Sequence, residues 1–222
     1  MLIIGHRGAR GLAPENTIAG LQKGLEHHAD MLEFDLRVTK DAVVILHHDN
    51  ALTDPGGNKL KIAETTFDEL KAHKPDLPTF DEMLDTIGCP VPLYIEVKPG
   101  VPVKPIVKII RSRLGAGWKN NAFLLGSKSQ KTLRELHAAL PGISKIVIEP
   151  WSGVRAHRRA REVDAKIVAM NQLWLWWGFI RGFKHSDTEL FAYTLNNPAK
   201  ARRWARWGLS GAITDYPDRF EK

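Results

Sequence analysis

Glu33 and Asp35 interrupt the apolar run Met31-Leu-Glu-Phe-Asp-Leu-Arg37. The run reads as a buried strand, and because strand side chains alternate, the two carboxylates share one face. Neighbouring ionised carboxylates on a buried face repel, so they must share a proton or hold a cation between them. Hard divalent cations such as Mg2+ and Ca2+ bind carboxylate oxygen, which makes a metal site the sharper interpretation. An exposed strand with its acids in water is the plainer one. Pro92-Leu-Tyr-Ile-Glu-Val-Lys98 shows the same pattern, with Glu96 and Lys98 on one face of a second apolar run. It adds a third carboxylate and a cation.

Histidine suits proton transfer near neutral pH, and two segments carry one beside an apolar run. Leu2-Ile-Ile-Gly5 ends in His6-Arg7-Gly8, and Ala42-Val-Val-Ile-Leu46 ends in His47-His48-Asp49. Alternation puts His47 on the opposite face from His48, so His48 is the stronger candidate. His27, His28, His73, His137, His157 and His185 read as solvated or structural, and Cys89 as a buried small hydrophobe.

These groups need elements to position them. Pro14-Glu-Asn-Thr17 leads into the apolar spacing Ile18, Leu21, Leu25, so Asn16 or Thr17 caps a helix that Ala29 ends before the Glu33 strand. That is a βαβ unit. Glu33 to Val43 is too short for a parallel crossover, so residues 42–48 must fold back as a hairpin arm, returning His47, His48 and Asp49 toward Glu33 and Asp35. Residues 50–80 form a small excursion, with a turn at Asp54-Pro-Gly-Gly57, a short helix near Phe67–Ala72, and a helix from Thr79 with Glu82 in the capping-box position. Strand-like runs follow at Ala122–Gly126, Ser144–Glu149, Lys166–Met170, Leu190–Leu195 and Gly211–Thr214, alternating with helical stretches such as Ser129–Leu140 and Pro198–Trp207. With the strands at Leu2, Met31 and Pro92, the pattern predicts an α/β chain: one (β/α)8 TIM barrel over 1–222 with an insertion at about 38–80. His6, Glu33, Asp35, Glu96, Lys98, Asn196 and Asp215 then share the C-terminal strand ends, where such barrels build their sites.

Composition is ordinary for a globular chain: 222 residues, 43% hydrophobic and 26% charged. The net charge of +7 gathers in Arg155–Arg161 and Ala201–Trp207, which read as exposed helix faces. A basic excess favours anionic partners, but solvated helix surface is its commoner cause and no nucleic-acid partner is expected. One cysteine excludes an internal disulfide. With no signal-like N-terminus and no apolar window of membrane-spanning length, the cytoplasm is the expected address. Leu173-Trp-Leu-Trp-Trp-Gly-Phe-Ile180 is apolar on all sides. It is either a helix buried on the barrel or an exposed wall of Trp174, Trp176 and Trp177 at the barrel mouth, for an acyl chain or membrane surface.

In order along the chain, His6-Arg7-Gly8, Pro14-Glu15-Asn16-Thr17, Glu33/Asp35, His48-Asp49, Glu96-Val-Lys98, Tyr193-Thr-Leu-Asn196 and Ile213-Thr-Asp-Tyr-Pro217 resemble the glycerophosphodiester phosphodiesterases. The resemblance implies a TIM barrel that holds one divalent cation, Mg2+ or Ca2+, on Glu33, Asp35 and Glu96, and cleaves glycerophosphodiesters to glycerol 3-phosphate and an alcohol. It sets Arg7, Lys98, Tyr193 and Asn196 against phosphate and substrate. The cation, three carboxylates, Arg7 and Lys98 sum to +1, which a phosphodiester monoanion neutralises. Acid–base catalysis falls to His6 and His48. Tyr193 replaces a common tryptophan, Asp54 replaces a common arginine, and residues 170–185 match poorly, all where a head group or acyl chain would lie. A lysophospholipase D acting on lysophospholipids and a non-catalytic phosphate-binding barrel are the alternatives.

Overall fold

Eleven strands and eight helices make up the computed structural model, which describes residues 1–53 and 56–220. In chain order these are β1 (Leu2–Gly5), α1 (Ile18–Glu26), β2 (Met31–Val38), β3 (Val44–Leu46), β4 (Ala51–Thr53), β5 (Lys59–Lys61), α2 (Phe67–His73), α3 (Phe80–Ile87), β6 (Leu93–Val97) and α4 (Val103–Gly115). The second half follows as β7 (Phe123–Ser127), α5 (Gln130–Ala139), β8 (Ser144–Ile148), α6 (Gly153–Glu162), β9 (Ile167–Asn171), α7 (Trp177–Lys184), β10 (Glu189–Tyr193), α8 (Pro198–Trp207) and β11 (Gly211–Thr214). Eight of the strands run parallel and close a (β/α)8 barrel in the order β1-β2-β6-β7-β8-β9-β10-β11, with β11 back against β1.

Alternation divides each strand between two cores. Ile4, Tyr94, Ile146, Phe191 and Ile213 fill the barrel interior. Phe34, Ile95 and Phe123 face α3 and α4 on one side, and Val147, Val168 and Ala192 pack with Ile180 and Trp204 on the other. Gly126 is glycine for a local reason: a Cβ there would stand 2.6 Å from the ring of Tyr94, which plugs the barrel beside Glu33.

The length of β2 positions the site. Met31 and Leu32 pair with β1, whereas Leu36–Val38, beyond the end of β1, pair antiparallel with β3 on that same edge. The expected hairpin arm therefore stands above β1, and the His47 N–H donates to the Asp35 carbonyl at 3.1 Å. Behind the arm, Ile45, Leu52, Ile62, Leu70 and Leu77 give the excursion its own small core. The turn expected at Asp54–Gly57 lies partly outside the described residues.

Local signals account for the helix starts. The Thr17 hydroxyl accepts the Gly20 N–H and caps α1, which stops at Glu26 rather than Ala29. Capping boxes Thr66/Glu69 and Thr79/Glu82 start α2 and α3. Two expectations are corrected. Cys89 is exposed, because it lies in the turn that follows Gly88 at the end of α3. Arg159 is buried within the basic helix α6, where it donates to the carbonyls of Ile148 and Lys128 and pairs with Glu149. The 173–180 run splits: Leu175 and Ile180 are buried, while Leu173, Trp174, Trp176 and Trp177 are exposed. No helix among the described residues is long and apolar enough to cross a membrane.

Candidate active site

Glu33, Asp35 and Glu96 meet at the C-terminal mouth of the barrel. Asp35 and Glu96 are direct partners across β2 and β6, and Glu33 stands one turn of the pleat earlier beside Tyr94. One oxygen from each carboxylate lies within 4.8 Å of the others, and all three residues are buried. The turn after β1 reaches over them. Arg7 at φ +50° and Gly8 at φ +87° take left-handed conformations that let the Arg7 N–H donate to Glu33 Oε2 at 2.8 Å. Gly8 is required there, since a Cβ would strike the Gly20 backbone at 2.4 Å.

Charge is unevenly compensated within the cluster. Burial, reinforced by Asp35 and Glu96, pushes the Glu33 carboxyl well above its ordinary value. Burial acts on Asp35 in the same direction, but Lys98 and Arg7 outweigh it and hold that carboxyl at about 2. Lys98 Nζ lies 2.5 Å from Asp35 Oδ1 and 2.8 Å from Glu96 Oε1, and the Arg7 Nε lies 3.3 Å from Asp35 Oδ2. Asn16 closes around Asp35 from the other side, donating from Nδ2 to Oδ2 at 2.9 Å and accepting the Asp35 N–H at 3.0 Å. Glu96 Oε1 is buried against the Lys98 ammonium. An all-oxygen donor set of three converging buried carboxylates, one of them driven toward protonation, fits a hard divalent cation.

Two histidine–aspartate pairs flank the carboxylates. His6 Nδ1 is 2.6 Å from Asp215 Oδ1, and His48 Nδ1 is 2.7 Å from Asp49 Oδ1. Asp215 and Asp49 are both held below the ordinary carboxylate range: burial raises Asp215 but His6 and Asn196 lower it further, and His48 lowers Asp49. An ionised carboxylate only accepts, so Nδ1 of each ring carries the proton and Nε2 is left for a reactant. Burial, and then the charge on Lys98, lowers the pKa of His48. Arg37, next on the Glu33/Asp35 face of β2, fixes the loop by donating to the His48 carbonyl at 3.0 and 2.8 Å. His47 turns away, its Nε2 3.4 Å from the Ala51 carbonyl oxygen.

A cavity of about 270 Å³ opens between these groups, lined by His6, Arg7, Arg10, Glu33, His48, Tyr94, Glu96, Lys128, Asn171 and Tyr193, among others. Among the described residues, the Tyr193 hydroxyl, buried there, has no hydrogen-bond partner. Lys98 and Asn196 stand behind this lining: Lys98 is 3% exposed between its two carboxylates, and Asn196 donates to Asp215 Oδ2 at 2.8 Å while accepting from Thr214 and the Asp215 N–H. Sequence reasoning passed over Arg10, Asn16, Arg37, Lys128 and Asn171. Strand-end position would have flagged Lys128 and Asn171, and the period of two would have flagged Arg37; Asn16 was hidden by its place in a helix-capping stretch.

The (β/α)8 fold with buried acids at its mouth defines the class, and sequence comparison narrows it. Residues 6–219 match the glycerophosphoryl diester phosphodiesterase family, and the chain belongs to it. It is a phosphoric diester hydrolase. A glycerophosphodiester phosphodiesterase of Bacillus subtilis is 27% identical over 100% of this chain and 86% of its own length. A lysophospholipase D of Rattus norvegicus is 35% identical, over 46% of this chain and 34% of its own length. A phosphodiesterase of Oleispira antarctica, solved in complex with the product sn-glycerol-3-phosphate, superposes with a TM-score of 0.87 at 22% identity, covering 99% of this chain and 95% of that one.

Proposed function

We propose that the chain hydrolyses a small-molecule glycerophosphodiester to glycerol 3-phosphate and an alcohol, with one divalent cation, Mg2+ or Ca2+, held by Glu33, Asp35 and Glu96. The observation that carries this is one cavity lined by Glu33, Glu96, His6 and His48, with Asp35 buried beside them. The Bacillus relative's name and the product bound to the Oleispira protein support it. When bound, the cation supplies Lewis-acid polarisation of a non-bridging phosphoryl oxygen. Arg7, Arg10 and Lys128 surround the anionic ester, and Lys98 holds Asp35 and Glu96 in place from behind. One imidazole Nε2 takes the proton of the attacking oxygen, either from water directly or from the neighbouring glycerol hydroxyl, in which case water then opens the resulting cyclic phosphate to glycerol 3-phosphate. The other protonates the alkoxide as the second P–O bond breaks. Asp215 and Asp49 keep both rings in the required tautomer, Tyr193 contacts the ester, and Asn196 acts through Asp215.

A lysophospholipase D activity is the second reading, favoured by the exposed tryptophans beside the mouth and by the rat relative. Glycerol 3-phosphate release from glycerophosphocholine, measured beside choline release from lysophosphatidylcholine, separates the two. Both should stop after EDTA and return with added Mg2+ or Ca2+; full turnover after exhaustive chelation refutes the metal role.

A further inference from the structure

Five large apolar side chains stand in water on two neighbouring loops at the barrel mouth. Trp151 follows β8 and is 60% exposed; Leu173, Trp174, Trp176 and Trp177 follow β9 and are 80, 55, 64 and 55% exposed. β8 and β9 are paired neighbours, so the two loops form one rim. That rim adjoins the cavity, because Ile148 and Asn171, at the ends of the same strands, line it. Isolated exposed hydrophobes are ordinary, but a contiguous aromatic edge marks an interaction surface.

The chemistry of the occupant follows from charge. Residues 151–207 carry eleven Lys and Arg against four Asp and Glu, and the cations on the mouth side are Arg155 in the first turn of α6, Lys200 in the first turn of α8, and Arg181 beside Trp177. The four acids lie away from the rim, together with Arg161, Lys166 and Lys184. Glu162 and Asp164 stand at the turn from α6 to β9, and Asp187 and Glu189 at the turn from α7 to β10. In a (β/α)8 barrel such turns occupy the end opposite the mouth. Arg181 lies over the Trp177 ring at 5.7 Å, and Lys200 donates to Gln172 Oε1 at 2.8 Å, next to Leu173. Glu149, the acid at the end of β8, is buried and already matched by Arg155 and Arg159. Indole rings with flanking cations suit the boundary between acyl chains and anionic head groups. A second copy of the chain would instead bring two like-charged faces together.

We infer that this rim docks the protein, mouth toward the lipid, on an anionic bilayer surface. The docking is independent of which ester is cleaved, and it is read without turnover. The full chain should sediment with vesicles of equal parts phosphatidylglycerol and phosphatidylcholine, should bind pure phosphatidylcholine more weakly, and should release as salt rises. The double variant Trp174→Ser/Trp176→Ser should lose roughly tenfold in vesicle partitioning, with glycerophosphocholine hydrolysis unchanged. Arg181→Glu should weaken binding to the anionic vesicles alone. If the double variant does not fold, tryptophan fluorescence of the parent decides: brominated acyl chains should quench it. Binding that is indifferent to lipid charge, unchanged in the folded double variant, or without bromolipid quenching overturns the inference. So does a dimer in sedimentation velocity that the double variant dissolves, since that assigns the rim to a second copy.

Discussion

His6 Nδ1 and Asp215 Oδ1 stand 2.6 Å apart across the seam where β1 meets β11, joining residues 209 positions apart in the chain. Asn196 in turn holds the second oxygen of Asp215. His6→Ala should remove most turnover, and Asp215→Asn should lower kcat by about a hundredfold, because an amide can donate to Nδ1 and favour the wrong tautomer. Asn196→Ala should lower kcat less and leave KM nearly unchanged. Steady-state rates with glycerophosphocholine, beside thermal unfolding, check the order; a KM-only defect in Asn196→Ala would place that residue on the substrate instead.

His48 and His47 are adjacent in sequence and opposed in space. His48→Ala should cost roughly a hundredfold to ten-thousandfold in kcat, whereas His47→Ala, losing a 3.4 Å contact to the Ala51 carbonyl, should retain most activity. Equal losses in the two variants, both folded, would contradict the assignment.

Glu33 is one of three buried acids that repel one another. Glu33→Gln should weaken Mg2+ or Ca2+ binding in calorimetry and, measured in EDTA, raise the melting temperature by relieving that repulsion. The two effects carry opposite signs, so a variant that merely damages the fold cannot mimic them.

Lys128 is 41% exposed at the cavity edge, 3.6 Å from Glu96 Oε1. Lys128→Met should raise KM for an anionic diester by about tenfold through loss of a charge-assisted contact, with the melting temperature unchanged. Unaltered KM would remove Lys128 from the binding surface.

Lys145 is buried and donates to the carbonyls of Leu140 and Ile143. Burial lowers its pKa from 10.5 to about 8. Between those values the unfolded chain holds a proton that the native chain has released, so this group makes stability rise with pH across the window and contributes no slope below it. Urea unfolding of the parent relative to Lys145→Met should therefore shift in the parent's favour from pH 8 to pH 10, by on the order of 2 kcal/mol. A flat difference would show that Lys145 titrates outside the window.

Much of this site was legible in one dimension because its signals are local. Period-two alternation alone puts Glu33 and Asp35 on one face, and Glu96 and Lys98 on another, in any strand those runs form. Too short a connection to Val43 forces the hairpin, and eight alternating strand and helix patterns leave the barrel as their packing solution. What a side chain does once it is on a face depends on what the closed barrel sets opposite it. Lys98 could not be known to stand between Asp35 and Glu96, nor Asn196 to grip Asp215, until β2 met β6 and β11 lay beside β10. Asn16 read as a helix cap because capping is decided within four residues, whereas its bond to Asp35 is decided across a strand. The tryptophan run carries no periodicity, so its exposure followed only from the packing of α7, which buries Ile180 and Phe183 against the barrel and leaves Trp174, Trp176 and Trp177 no core to enter.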